Sequence, residues 1–203
     1  MFHKEILTEE QLKLLPLIRK FKRNFYMVGG TAIALHLGHR RSIDFDLFTK
    51  SKINRKPLED RLIKYGYKFK TLHITPQEWT FFIGKVKFTF YQFFYSIHAG
   101  INFDEIIRMP SLLDLAAMKA YALGDRAKWK DYVDLYFIFQ NNISLKQIAR
   151  KATALFEEGF SEKLFREQLS YYADINYDEV VEYIVPEPSK EEIKLFLTKI
   201  ALQ

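Results

Sequence analysis

With 203 residues and 48% apolar side chains, the chain can fill one good-sized core or two small subdomains, so no further independent domain is required. Its 31 Lys and Arg against 25 Asp and Glu leave a net charge of +6, which suits a polyanionic partner such as RNA or a nucleotide. No cysteine is present, which excludes disulfides and thiolate metal sites. No apolar run approaches the roughly 20 residues of a membrane span, and Met1-Phe2-His3-Lys4-Glu5 carries no apolar signal core. A soluble cytoplasmic protein with no membrane partner is the expectation. His3, His36, His39, His73 and His98 form no ligand-spaced pair, so a histidine-based metal site is not expected either.

Thr8-Glu9-Glu10-Gln11 reads as a capping box, and Leu12, Leu14, Leu15, Leu17, Ile18 and Phe21 follow at helical spacing, ending at Asn24. Phe25 to Val28 reads as a buried strand. Gly29 and Gly30 then permit positive φ and close approach of backbone to a ligand, which suits a phosphate. Thr31 opens a short helix over Ala32 to Leu37, whose free N–H groups and dipole favour an anion, with the Thr hydroxyl as a further donor. From Ser42 to Phe48 polar and apolar residues alternate. On a strand, Asp44 and Asp46 therefore share one face while Ile43, Phe45 and Leu47 take the other. Like charges about 7 Å apart along a strand repel, and a hard cation between them relieves the repulsion. Oxygen donors alone favour Mg²⁺ or Mn²⁺ over zinc.

Thr49 to Lys56 reads as a basic loop before Pro57, and Leu58 to Tyr65 as a helix stopped by Gly66. Tyr67 to Ile74, Trp79 to Ile83 and Lys85 to Tyr95 read as strands, with Gly84 turning between the last two. A subdomain boundary falls near Met109-Pro110. Beyond it, helices are expected from Ser111 to Leu123, Lys128 to Gln140, Ser144 to Glu158, Ser161 to Tyr172, Asp178 to Tyr183 and Ser189 to Leu202, with Gly124-Asp125 interrupting the first pair. If the helical phase ran on through that break, Lys119, Arg126 and Lys130 would lie within about 40° on one stripe and could clamp a triphosphate. Asp131 and Asp134 share a helix face. Asp134 reads either as a fastener to Arg126 or Lys130 or as part of the chemistry, and Asp131 has the same two readings.

Gly29-Gly30-Thr31, a short helix, and Asp44-Phe45-Asp46 on a second strand together resemble the signature of the DNA-polymerase-β-type nucleotidyltransferase superfamily. Within it, Gly29-Gly30-Thr31-Ala32-Ile33-Ala34-Leu35 and Arg41-Ser42-Ile43-Asp44-Phe45-Asp46-Leu47-Phe48 are most similar to the AbiEii group of bacterial toxin and abortive-infection enzymes. The Lys119 to Leu135 block resembles that group's Lys, Arg, Lys-Asp, Asp-Leu element. The resemblance implies an α+β fold: a polymerase-β-like core of small mixed sheet and flanking helices over residues 1–109, and a helical subdomain over 110–203 completing the active-site cleft. It implies Mg²⁺-dependent transfer of a nucleoside monophosphate from an NTP to an acceptor hydroxyl. Asp44 and Asp46 would hold the metal, and Gly29, Gly30 and Thr31 the phosphates. Arg41, Ser42, Lys119, Arg126 and Lys130 would be further phosphate contacts, with Asp131 the general base. The acceptor it implies is RNA, in particular the 3′ end of tRNA, or else a protein side chain, with a cognate antitoxin as partner. One departure is plain: Val86 to Phe93, where the superfamily carries a third acid, has none, which puts a two-metal arrangement in doubt. Two other readings stay open, an aminoglycoside-type small-molecule nucleotidyltransferase and a catalytically silent nucleotide- or RNA-binding module.

Overall fold

A computed structural model describes residues 2–124 and 126–203; Asp125, expected at the break between two helices, lies outside the described residues. The chain forms two compact units, one of Leu7–Ala32 with Ser42–Pro110, the other of Met1–Ile6, Ile33–Arg41 and Ser111–Gln203.

The first unit is built on a mixed sheet. Helix α1 (Glu9–Ile18) starts at the expected capping box, Thr8 and Gln11 each satisfying the other's backbone N–H. Strand β1 (Tyr26–Val28) leads straight into α2 (Gly29–Leu37), which begins in this unit and ends in the other. The helix therefore starts at Gly29, two residues before the expected Thr31. A glycine at φ +75° makes the sharp strand-to-helix turn that a side chain would strain. Strand β2 (Asp44–Thr49) follows, then α3 (Arg55–Lys64). This helix also starts earlier than expected, because Pro57 falls in its first turn, where no N–H is needed. Strands β3 (Lys70–Ile74), β4 (Glu78–Ile83) and β5 (Val86–Gln92) complete a five-stranded sheet of order β1-β2-β5-β4-β3, in which β2 and β5 run parallel and the other neighbours antiparallel.

One face of the sheet is an aromatic core. Phe45, Phe81, Phe88, Phe90 and Trp79 are buried, with Phe81 stacked on Phe88 at 5.4 Å and on Trp79 at 4.2 Å. Each such ring contributes about 1.5–3 kcal/mol through burial, so this face fixes the register that carries Asp44 and Asp46 on the other. Strands β6 (Ile101–Phe103) and β7 (Ile107–Met109) form a separate hairpin that the sequence did not announce. Its turn uses Asp104 and Glu105 at positive φ where glycine or asparagine would be the usual signal.

The second unit is helical: α4 (Leu112–Leu123), α5 (Trp129–Gln140), α6 (Leu145–Phe156), α7 (Glu162–Ser170) and α8 (Lys190–Ala201). Helix α4 packs on α5, α6 and α7, and α8 on α5 and α7. The expected helix over Asp178 to Tyr183 does not form. The segment is an extended strap whose neighbouring backbone groups are spent elsewhere: Asn176 N–H donates to Ala127 O at 2.8 Å, Glu182 O accepts from Arg41 N–H at 2.8 Å, and Ile184 N–H donates to His39 O at 3.0 Å. Among the described residues no helix is long and apolar enough to cross a membrane.

Candidate active site

The site residues fall into two groups, one in each unit. In the sheet unit, alternation along β2 leaves Asp44 and Asp46 half-buried while Phe45 and Leu47 go to the core, as the sequence predicts; Ile43, expected with them, precedes the strand and is exposed. Gly29 lies so close to Asp46 that a Cβ there would collide with its Oδ2. The first turn of α2 thus abuts a carboxylate. Thr31 and Ser42 take a different role from the expected phosphate contact. Thr31 is 1% exposed and its hydroxyl donates to the Asp44 carbonyl, with the Ser42 hydroxyl 2.9 Å away. Gln11 Nε2 adds a 2.8 Å bond to the Ser42 carbonyl. These buried bonds hold the start of β2, so the two hydroxyls fix the carboxylates' strand and are not open to a ligand.

The parallel register of β2 and β5 pairs Asp44 with Lys87 and Asp46 with Thr89. Lys87, which sequence reasoning passed over, sits where a strand acid is absent, and its Nζ lies 2.7 Å from Asp44 Oδ2. Both side chains are about a third exposed, at 30% for Asp44 and 31% for Lys87. Asp44 and Asp46 offer oxygen donors of the kind a hard cation takes. Among the described residues no third acid or histidine joins them.

In the helical unit the charges are sealed. Asp134, fully buried, accepts from Arg40 Nε at 2.8 Å and Nη2 at 2.9 Å, from His39 Nε2 at 2.8 Å, and pairs with Lys119 Nζ at 3.0 Å. Lys119 also reaches Asp131 Oδ1 at 2.7 Å, while Arg126 Nε lies 3.3 Å from Asp131 Oδ2. Burial alone would raise the Asp134 carboxyl, but Arg40, Lys119 and the His39 hydrogen bond hold it well below the usual carboxylate range. Burial would likewise lower Lys119, but Asp131 and Asp134 raise it above an ordinary lysine. His39 goes the other way: burial outweighs Asp134 and lowers its pKa, so it is a neutral imidazole donating from Nε2, and among the described residues its Nδ1 meets no hydrogen-bond partner.

Several sequence expectations change here. Asp134 is fastened by Arg40, His39 and Lys119, not by Arg126 or Lys130. Lys119, Arg126 and Lys130 do not form one stripe, because α4 ends at Leu123 and extended backbone at Lys128 resets the phase before α5. Lys130 Nζ instead lies 3.2 Å from Glu179, which Lys128 also holds at 2.6 Å. Arg41 turns outward to Glu182 at 2.6 Å, while its neighbour Arg40 carries the buried contact. His39 and Arg40 had no sequence signal beyond adjacency to the Asp44 strand.

A family model described as the nucleotidyl transferase AbiEii toxin of a type IV toxin–antitoxin system matches residues 17–201. An uncharacterized protein of Aquifex aeolicus strain VF5 is 30% identical over 184 residues, covering 87% of this chain and 85% of that protein. Among solved structures, the nucleotidyltransferase toxin MenT4 of Mycobacterium tuberculosis H37Rv superposes with a TM-score of 0.60 at 11% identity, covering 94% of this chain and 80% of that one. A putative nucleotidyltransferase from H. pylori gives 0.57 at 19% identity over 96% of this chain and 94% of that one. The antibiotic-resistance factor ANT(2'')-Ia gives 0.52 at 14% over 76% and 92%. At these identities the structural likenesses speak for the fold, a five-stranded mixed sheet with flanking helices.

Proposed function

The chain belongs to the AbiEii family of nucleotidyltransferase toxins of type IV toxin–antitoxin systems, and from that premise we propose that it transfers a nucleoside monophosphate from an NTP to a hydroxyl of RNA, at the 3′ end of tRNA, with Mg²⁺ held by Asp44 and Asp46. The observation that carries this reading is the partly exposed Asp44 and Asp46 pair on one face of β2, set against the glycine start of α2. When bound, a divalent cation would neutralise charge on the reacting triphosphate. Gly29 and Gly30 would present backbone N–H groups to phosphate oxygens.

In the proposed step the acceptor oxygen bonds to the α-phosphorus, the bond to the β-phosphate oxygen breaks, pyrophosphate leaves, and the hydroxyl proton passes to Asp131. Each Asp131 oxygen pairs with one cation, and release of one partner would uncover a further lone pair for the proton. Arg126 is that partner: its side chain is 53% exposed and its contact is the longer of the two. Freed from Asp131, its guanidinium is also suited to grip phosphate oxygens. Lys119 stays buried as the fixed positive charge beside the base. The net charge of +6 favours an RNA acceptor over a polycationic aminoglycoside. Family membership implies a cognate antitoxin, and growth arrest is the proposed outcome of unopposed activity.

The test is incubation of the protein with Mg²⁺, total cellular RNA and each NTP labelled at the α-phosphate, beside an Asp44→Asn control. Label in tRNA from wild type alone is the expected result, with the variant reduced by about a hundredfold or more. Label on a small molecule or on protein would replace the acceptor. No transfer to any acceptor would leave a silent binding module.

A further inference from the structure

Lys87 bears on how many cations the site takes. Its position is set by the sheet: in the parallel ladder Asp44 faces Lys87, so the two side chains leave the same face of adjacent strands. The contact is direct, at 2.7 Å to Asp44 Oδ2. Asp46 faces Thr89, and across β4 the matching positions are Phe82 and Thr80. Glu78 lies further along the strand opposite Tyr91, where its carboxylate accepts from the Thr80 hydroxyl at 2.6 Å.

We infer that Lys87 is a built-in counter-ion of the site, occupying with its ammonium the place of a second divalent cation and restricting the Asp44 and Asp46 pair to one. This rests on the reading of Asp44 and Asp46 as metal ligands. Three physical points support it. A third strand carboxylate would raise the local negative charge and supply bridging oxygens for two ions, whereas an ammonium there removes one charge and one bridging oxygen. An ion pair a third exposed is held loosely enough to rearrange when a ligand arrives. Without any metal, Lys87 keeps Asp44 in a fixed direction beside Asp46, so the pair need not splay through mutual repulsion. Lys87 is thus a positioning residue, acting on the substrate only through Asp44.

The measurement is Mn²⁺ binding to the full chain, followed by electron paramagnetic resonance of the free ion, with and without a non-hydrolysable NTP analogue. Wild type and Lys87→Arg are expected to bind one ion each. Lys87→Met, which keeps the length of the side chain, should bind one ion about three- to fivefold more tightly because the competing ammonium is gone. Lys87→Asp should admit a second ion. Circular dichroism of each variant establishes that it is folded. Two ions in wild type, or a folded Lys87→Met with unchanged affinity and a folded Lys87→Asp still limited to one ion, would overturn the inference while leaving the metal reading intact. No binding by wild type or any Lys87 variant would overturn the metal reading, and the inference with it.

Discussion

Two pairs of aspartates, one in each unit, meet opposite electrostatic conditions. Asp44 and Asp46 sit half-buried on an open strand face, with Asp44 held by one lysine of similar exposure. Asp131 and Asp134 are sealed among Lys119, Arg40, His39 and Arg126. Partly exposed carboxylates keep contact with water and can exchange partners, which a ligand site requires. Asp134 is held by buried, fixed cations and is a scaffold, whereas Asp131 has one partly exposed partner, Arg126, whose release the proposed mechanism uses. The sequence presents both as an Asp with a second Asp two or three residues on; only burial separates their roles.

The sharpest way to break this contrast is Asp134→Asn. It leaves buried Arg40 without its paired carboxylate and Lys119 with Asp131 alone, and the expected loss is about 3–5 kcal/mol, read as a shift in the denaturant midpoint; a loss below 1 kcal/mol would refute the scaffold role. Next is Gly29→Ala. Positive φ and the collision with Asp46 should cost about 1–3 kcal/mol and lower transfer by more than that loss of stability explains, because Asp46 is displaced; normal transfer at normal stability would show that the close approach is dispensable.

The pH dependence is a smaller effect with a definite sign. His39 has a lowered pKa when folded, so below its unfolded value of 6.5 the unfolded chain takes up a proton that the folded chain refuses. Stability should therefore fall as pH drops from about 6.5. The depressed Asp134 begins to contribute its own loss only near the unfolded carboxyl value of 3.8. Denaturant midpoints between pH 7.5 and 4.5 should decline for wild type and much less for His39→Gln; parallel curves would assign the decline elsewhere. The smallest effect is expected for Lys130→Ala. Its partner Glu179, held down to a pKa of about 2 chiefly by hydrogen bonding to Lys128 and also by Lys130, is partly exposed and keeps Lys128. The change should stay within about 0.5 kcal/mol, and KM for the NTP should not move; a large rise in KM would return Lys130 to the phosphate site.

Where local rules act alone, the sequence was legible. The capping box at Thr8, the alternation through Asp44 and Asp46, and the glycine turn at Gly29 each depend on a few adjacent residues, and each appears in the structure. Reading failed where a residue's partner lies far along the chain. Arg40 and Arg41 are indistinguishable in isolation, and only the fold directs Arg40 inward to Asp134 and Arg41 outward to Glu182. Lys87 needed the parallel register, which no stretch of β5 contains by itself. The Thr31 hydroxyl looked available for a phosphate because nothing local shows that the Asp44 carbonyl claims it. The strap before α8 read as helix from composition, whereas its backbone bonds to Ala127, His39 and Arg41 take the place of helical ones.

The helical unit is assembled from three separated stretches of chain, and Arg40 precedes Asp134 by 94 residues. At about 5–20 residues per second of synthesis, Arg40 waits on the order of 5–20 s for its counter-charge, while every residue of the sheet unit, Asp44 and Asp46 included, has been made by Pro110. A ribosome partway through the message thus displays one carboxylate pair without Asp131. On the proposed mechanism, a chain stalled or ended before Asp131 lacks the base, and activity arrives only when synthesis has passed the last of the buried charges.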